Sequence, residues 1–265
     1  MNMQEMNMQI KERSEEEIEN WKFRLRTQAS WTKDWRSWIY DKIGIRWKKL
    51  ILDAGCGSGE ITDEIARCTL GKVVALDLDR KMLDVARDTS SKKNKVTFVN
   101  CDIQHLPFKN DTFDVALCNL VLMWVASPER AVTELSRVVK KGGIVAATLE
   151  PDYGGRIDYP DLPFAEVMIK DLHNKGADPY IGRKLKWIFR RAGLEVKIGI
   201  QSSLWDDKTM LKNFDDDWKM NESVFLDAGF SKDEIERIKE REKDAIMKGI
   251  RLGFFPCFYA IGRKR

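Results

Sequence analysis

Histidine is scarce: the 265 residues hold two, His105 and His173, far apart in sequence. That argues against a multi-histidine metal site. Paired cysteines are missing too. The five present (Cys56, Cys68, Cys101, Cys118 and Cys257) are an odd number with no C-x-x-C pair, so they read as reduced thiols of a cytoplasmic protein, not a disulfide frame or zinc site. No charge of one sign dominates. Forty-six Lys+Arg against 42 Asp+Glu give a net charge of +4, which argues against a dedicated nucleic-acid binder. No apolar run approaches the length needed to cross a bilayer, and the polar N-terminus has no signal-peptide core. Internal repeats and low-complexity linkers are also absent. No metal, no nucleic acid and no membrane partner is therefore expected.

What is there is a globular composition. Charged residues make up 33% of the chain and hydrophobic residues 43%, enough for one large domain or two small ones. Trp21, Trp31, Trp35, Trp38 and Trp47 place five of the nine tryptophans in the first fifty residues. That segment, to about Lys49, reads as helical. Trp31, Trp35 and Trp38 stand at i, i+4 and i+7, on one helix face. The stripe either packs on the main domain or forms a lid whose buried face also touches a ligand.

From Leu50 onward, short apolar runs alternate with amphipathic helices. Leu50 to Ala54, Val73 to Leu78, Val96 to Asn100, Phe113 to Cys118 and Ile144 to Leu149 read as strands. Helices fall through Ile61 and Ile65, through Met82 and Ala86, and from about Ser127 to Val138, the last ended by Gly142-Gly143. This rhythm implies right-handed βαβ units, an α/β fold with a parallel sheet covered on both faces. Further on, a helix near Ile181 to Arg191 closes at Gly193, Leu194 to Ile200 reads as a strand, and Ser231 opens a helix with capping-box spacing. Phe254 to Ile261 reads as a closing strand, and Arg263-Lys264-Arg265 as a solvated tail. One domain spanning 50–265 is expected, with insertions at about 151–180 and 205–253, behind a helical segment 1–49.

The first strand runs into Asp53-Ala54-Gly55-Cys56-Gly57-Ser58-Gly59. Glycines here allow a sharp turn and let a ligand approach main-chain N–H groups at the start of a helix. The second strand delivers Asp77, eighteen positions after Gly59, an acid placed to accept from both ribose hydroxyls. A glycine turn with this acid implies a nucleoside-bearing ligand.

At these residues the chain resembles the class I S-adenosylmethionine-dependent methyltransferases, especially the small-molecule group with the ubiquinone and menaquinone enzymes. Asp53-x-Gly55-x-Gly57-x-Gly59 is similar to the family's first motif, and Asp77 to its ribose-binding acid. Asp102-Ile103, followed by Leu106-Pro107-Phe108, resembles the adenine-recognition stretch, and Phe113-Asp114-Val115 through Asn119 resembles the fourth motif. The resemblance covers about residues 50 to 150. It implies a Rossmann-like seven-stranded, mostly parallel sheet with helices on both faces, an N-terminal helical lid and an inserted helical cap. It also implies S-adenosyl-L-methionine as cofactor, held by Asp53, Gly55, Cys56, Gly57, Gly59, Asp77, Leu78, Met82, Asp102, Ile103 and Asn119. Arg24 to Ala29 is similar to an N-terminal helix that lies over the cofactor in some relatives. There Arg24 or Gln28 meets the methionine carboxylate, or the stretch is only the charged, polar surface of an amphipathic helix.

The implied activity is methyl transfer to a small-molecule acceptor by in-line displacement, with water excluded and a general base optional. Glu150, Asp152 and Tyr153 are candidates to accept a proton or hold the acceptor. Asn119-Leu120-Val121-Leu122 lacks the Asn/Asp-Pro-Pro-aromatic run of enzymes acting on adenine or glutamine amino groups. The few histidines weigh against a metal-dependent catechol-type mechanism. Cys101 and Cys118 read as small fillers. Pro163, Phe164, Val167, Met168 and Leu172 give the first insertion an apolar face, and Trp205, Phe214 and Trp218 offer aromatics from the second. Asp215-Asp216-Asp217 reads as a solvated run. Protein or RNA methylation and non-catalytic cofactor sensing are the competing readings. A cytoplasmic monomer or homodimer is expected.

Overall fold

The computed structural model describes residues 14–201 and 206–265. Helix α1 (Glu15–Trp31) opens on a capping box: the Ser14 hydroxyl accepts from the Glu17 N–H, and the Glu17 carboxylate accepts from the Ser14 N–H at 2.6 Å. It stops at Thr32, whose N–H and hydroxyl both donate to the Gln28 carbonyl. Helix α2 (Lys33–Ile43) then starts.

This break corrects the expected tryptophan stripe. Trp31 closes α1, whereas Trp35 and Trp38 lie on α2, so the three do not share one helix face. Trp38 is 41% exposed and meets Tyr259 edge-on at 5.3 Å. The buried face of α2 is instead Arg36, Ile39, Tyr40 and Ile43. Arg36 is tolerated there because its fork is filled. It makes two bonds to Glu64, at 2.6 and 3.1 Å, and donates to the Ala29 carbonyl and the Thr32 hydroxyl.

The remaining elements are β1 (Leu50–Ala54), α3 (Glu60–Cys68), β2 (Lys72–Asp77), α4 (Arg80–Thr89), β3 (Val96–Asn100), β4 (Phe113–Cys118), α5 (Pro128–Val138), β5 (Val139–Pro151), β6 (Ile157–Tyr159), α6 (Phe164–Asn174), α7 (Ile181–Arg191), β7 (Leu194–Gln201), α8 (Asp207–Asp227), α9 (Lys232–Met247), β8 (Leu252–Phe254) and β9 (Cys257–Lys264). Seven strands form one sheet in the order β3-β2-β1-β4-β5-β9-β7. The pairs β1/β2, β1/β4, β2/β3 and β4/β5 are parallel. Ile51, Val73, Ala75, Val115, Leu117, Ile144 and Ala146 share one face and pack with Ile39, Tyr40, Ile65 and Leu83. Their alternates Leu52, Ala54, Leu76, Ala116, Cys118, Val145 and Ala147 are buried as well. Both faces are therefore covered, which explains why these strands read as continuous apolar runs.

Two expectations change here. The glycines Gly142-Gly143 do not end α5, which stops at Val138; they lie inside β5. Pairing with β4 passes from Phe113↔Val139 to Val115↔Ile144, so the extra residues bulge out. Gly142 takes φ +74°, and a Cβ at Gly143 would stand 2.7 Å from the Lys140 carbonyl oxygen. The bulge needs both glycines. The C-terminal basic run is likewise not a solvated tail. Strand β9 continues through Lys264, whose ammonium donates to the carbonyls of Val139 (2.8 Å) and Arg137 (3.1 Å) and to Asp111 (2.9 Å).

Two compact units emerge from the chain. One runs through Glu150 and takes in Lys184–Gly199 and Phe258–Arg265; the other holds Pro151–Arg183 and Ile200–Cys257. In the second unit β6 pairs antiparallel with β8, and α6, α8 and α9 enclose Phe164, Val167, Met210, Phe214, Trp218, Phe225, Ile235 and Ile246. Phe214 and Trp218 are thus core residues there. A charged chain runs beside them: Arg156 and Arg251 both bond Asp158, Arg251 bonds Glu242, and Glu242 accepts from the Trp218 indole. Asp217, one of the three aspartates read as a solvated run, is not solvated. Its Oδ1 is buried without a hydrogen-bond partner, and burial, with Glu242 and Asp216 adding, pushes its carboxyl up to about 7. Asp215 and Asp216 are exposed.

Candidate functional site

Strand β1 lies between β2 and β4, where the strand order reverses, and ligands of open α/β sheets bind at the carboxyl ends of strands beside such a reversal. The glycine loop leaves β1 there. Gly55, Gly57 and Gly59 take φ +80°, +52° and +89°, the left-handed region that a side chain disfavours. The Gly55 and Cys56 N–H groups both donate to the Leu76 carbonyl, at 2.8 and 2.9 Å, lashing the loop to β2. Space is as restrictive as conformation. A Cβ at Gly55 would come within 2.3 Å of Val121 Cγ2, and one at Gly59 within 3.0 Å of the Ala86 methyl.

Asp77 organises this loop. Its carboxylate accepts from the Gly57 N–H at 2.7 Å and from the Asp79 N–H at 2.9 Å. Asp79 in turn caps α4 through the N–H groups of Lys81 and Met82. Asn100, which sequence reasoning missed, donates to the carbonyls of Asp77 and Leu78, both at 2.9 Å. A polar residue closing an apolar strand was its only signal. Asp53 is buried beneath the loop. The Thr62 hydroxyl donates to it at 2.6 Å, yet burial dominates and lifts its carboxyl to about 6.

Beyond β3, Asp102 accepts from the Gln104 N–H at 2.8 Å and from the Gln104 amide. Ile103 is buried; Leu78 is half-buried, Met82 is buried, and His105 is exposed. Beyond β4, the Asn119 side-chain oxygen Oδ1 accepts from the Thr148 hydroxyl at 2.7 Å, and Leu120 takes φ +56°. The Val121 and Leu122 N–H groups donate to the same oxygen of Glu150, at 3.0 and 2.9 Å. Glu150 is fully buried and its Oε2 has no hydrogen-bond partner. Burial outweighs the backbone bonds and raises its carboxyl to about 7. Asp114 of the fourth motif sits at the other end of β4, accepting from the Lys49 and Leu50 N–H groups and from Lys140. Cys56, Cys101 and Cys118 are neutral thiols, since burial raises all three, Cys101 to about 11.

Helix α1 reaches this end of the sheet. A Cβ at Gly57 would lie 2.8 Å from Leu25 Cδ1, and Trp21 meets Trp124 edge-on at 6.2 Å. Gln28 continues the same helical stripe at i+7 from Trp21, while Arg24 lies beside Leu25; both are half-buried. The structure thus gathers Arg24, Gln28, Asp53, the loop, Asp77 and Asn119 within one unit. Asp152 and Tyr153 belong to the other. Asp152 is buried and paired to Arg183 through two bonds, at 2.5 and 2.6 Å, and Tyr153 packs on Phe255. His173 is exposed and its ring faces that of Tyr180. Trp205 and residues 1–13 lie outside the described residues.

Residues 52–147 match the family described as a methyltransferase domain. That span holds the glycine loop, Asp77, Asp102 and Asn119 together. Over that span the chain is similar to methyltransferase domains. An uncharacterized 37.1 kDa protein in transposon TN4556 of Streptomyces fradiae is 30% identical to it over 168 residues, 62% of this chain and 48% of that protein. The demethylmenaquinone methyltransferase of Staphylococcus aureus is 30% identical over 153 residues, 57% of this chain and 60% of that protein. The chain thus spans about half to three-fifths of these relatives. The YcgJ protein of Bacillus subtilis shares the fold, with a TM-score of 0.60 at 16% identity over 88% of this chain and 99% of its own. The Rossmann-like seven-stranded sheet is therefore the fold of this chain. Among the described residues, no group of three or more His, Cys, Asp or Glu residues is set to hold a metal ion. No helix among them is long and apolar enough to cross a membrane.

Proposed function

We propose that the chain is an S-adenosylmethionine-dependent methyltransferase acting on a small molecule. One observation carries the reading: a loop of three left-handed glycines is bonded to Asp77 at the strand-order reversal, inside the matched span. The cradle fits the cofactor, because any side chain at Gly55 would strike Val121 and fill the approach to the loop. When bound, the cofactor supplies a methyl group already activated on a sulfonium. Asp77 accepts from the ribose hydroxyls, and Asp102 with the Ile103 N–H reads the adenine edge. Gly55, Cys56, Gly57 and Gly59 give close main-chain approach, with Leu78 and Met82 as apolar neighbours. Helix α1 acts as the lid, with Arg24 or Gln28 holding the methionine carboxylate.

Glu150 acts through Asn119-Leu120-Val121-Leu122. By holding two N–H groups it fixes the turn that places Val121 over Gly55. It is a positioning residue. Asp152 is already occupied by Arg183, so no general base is assigned, which suits an acceptor that is itself nucleophilic. The relatives' names support a small-molecule acceptor, and reduced thiols with balanced charge support the cytoplasm. The test is Asp77→Ala. Calorimetric affinity for S-adenosylhomocysteine should fall by about 1–3 kcal/mol, the cost of unpairing such contacts. An unchanged affinity overturns the assignment. Methyl-labelled cofactor incubated with a metabolite extract should label a small molecule; label appearing only in protein or RNA, or nowhere, refutes that part.

A further inference from the structure

The near-neutral total hides an uneven distribution of charge. At the end of the sheet opposite the glycine loop, where the parallel strands begin, two loops of the first unit lie side by side. The Leu70 N–H donates to the Arg46 carbonyl at 3.0 Å, and the Lys72 N–H to the Lys49 carbonyl at 2.9 Å. Two large apolar side chains project from them, Trp47 at 73% exposure and Leu70 at 62%. Arg46 lies over the Trp47 ring at 5.5 Å. Lys49 and Lys72 are exposed at the strand starts. Farther along the same sheet, beyond β4, Lys141 of β5 and Arg263 of β9 extend the same sign, with Arg263 donating to the Gly142 carbonyl. Two acids at this edge are already paired: Asp114 is held below the usual carboxylate range by Lys140 and the Lys49 and Leu50 N–H groups, despite partial burial, and Asp111 accepts from Lys264 at 2.9 Å.

From this arrangement we infer that the strand-start edge around Trp47 and Leu70 docks the protein on an anionic lipid surface. Basic side chains are drawn to acidic headgroups, and tryptophan is the residue that settles at the headgroup level. Leu70 decides between lipid and nucleic acid. An aliphatic side chain beside the tryptophan gains from entering the acyl boundary but offers nothing to phosphates or stacked bases. No spanning segment is needed. The glycine loop lies at the far ends of the same strands, so docking leaves it uncovered.

Vesicle flotation of the full chain tests this. Binding to phosphatidylcholine–phosphatidylglycerol vesicles is expected at low salt, with loss on raising salt, and no binding to phosphatidylcholine alone. Lys49→Gln and Lys72→Gln should each weaken binding about fivefold, the worth of one basic residue near an anionic surface. The double variant Trp47→Ala/Leu70→Ala should weaken it about tenfold or more. All these side chains are exposed, so circular dichroism and S-adenosylhomocysteine affinity should not move. Equal binding to both vesicle types, no binding at low salt, or unchanged binding by the variants overturns the proposal. So does tighter binding to an RNA oligonucleotide that survives the Trp47→Ala/Leu70→Ala change.

Discussion

Glu150→Gln separates a structural hydrogen bond from the penalty of an ionised buried acid. The glutamine oxygen keeps both bonds that Oε1 accepts from Val121 and Leu122, while an amide replaces the partnerless Oε2. Burial raises this carboxyl from 4.5 to about 7. At about 1.4 kcal/mol for each tenfold change in proton affinity, that rise amounts to about 3 kcal/mol. The native state holds the proton more tightly than the unfolded chain. Stability therefore falls as pH climbs from 4.5 toward about 7, and the loss is complete above that. The variant does not titrate and escapes the loss. Its advantage over the native sequence should be small at pH 5 and larger by about 2–3 kcal/mol at pH 8. Asp53 and Asp217 are also raised, to about 6 and 7, but they contribute to both proteins and cancel in the difference. Urea unfolding of both at the two pH values, with calorimetry to resolve the two units, makes the measurement. A pH-independent gain, or a variant less stable at pH 8, would show that the carboxylate is charged and satisfied, and would refute the reasoning.

Asp217→Asn should stabilise the second unit, more at pH 8 than near pH 4, because its raised carboxyl costs stability as pH climbs from 3.8 to about 7; the calorimetric Tm of that unit reads it. Gly55→Ala and Gly142→Ala form a controlled pair, since both positions are left-handed but only Gly55 is crowded, by Val121 at 2.3 Å. Gly142→Ala should cost about 1–2 kcal/mol of backbone strain. Gly55→Ala should cost about 1–3 kcal/mol more from overpacking and lose S-adenosylhomocysteine affinity; equal costs by urea unfolding would contradict the crowding.

The strands and the loop were legible because their signals are local. Parallel strands buried on both faces leave apolar runs, and Gly55-x-Gly57-x-Gly59 after such a run marks the turn. What escaped depends on partners distant in sequence. Thr32 ends α1 with one side-chain bond and is unremarkable in a helical segment, so the tryptophans looked collinear. Glu150 was visible as an acid after an apolar run, but its burial follows from the turn at Val121 and Leu122. Lys264 looked like a tail because its acceptors, Val139 and Arg137, stand more than a hundred residues earlier. Arg36 gave no sign of burial because its partner Glu64 is twenty-eight residues away.

The glycine loop has a kinetic consequence that follows from its supports. Apart from the Gly59 N–H bond to the Cys56 carbonyl, they come from outside the loop's own sequence neighbourhood: Leu76 and Asp77 from β2, Val121 from beyond β4, and β1 itself registers with β4 through Ile51↔Val115. Contacts this far apart in the chain pay their closure entropy before they return any stability. A nascent chain halted after β3 would have the motif's letters without its left wall. Nucleoside recognition should therefore emerge as one of the last events of folding, making ligand capture a stopwatch for completion of the central sheet.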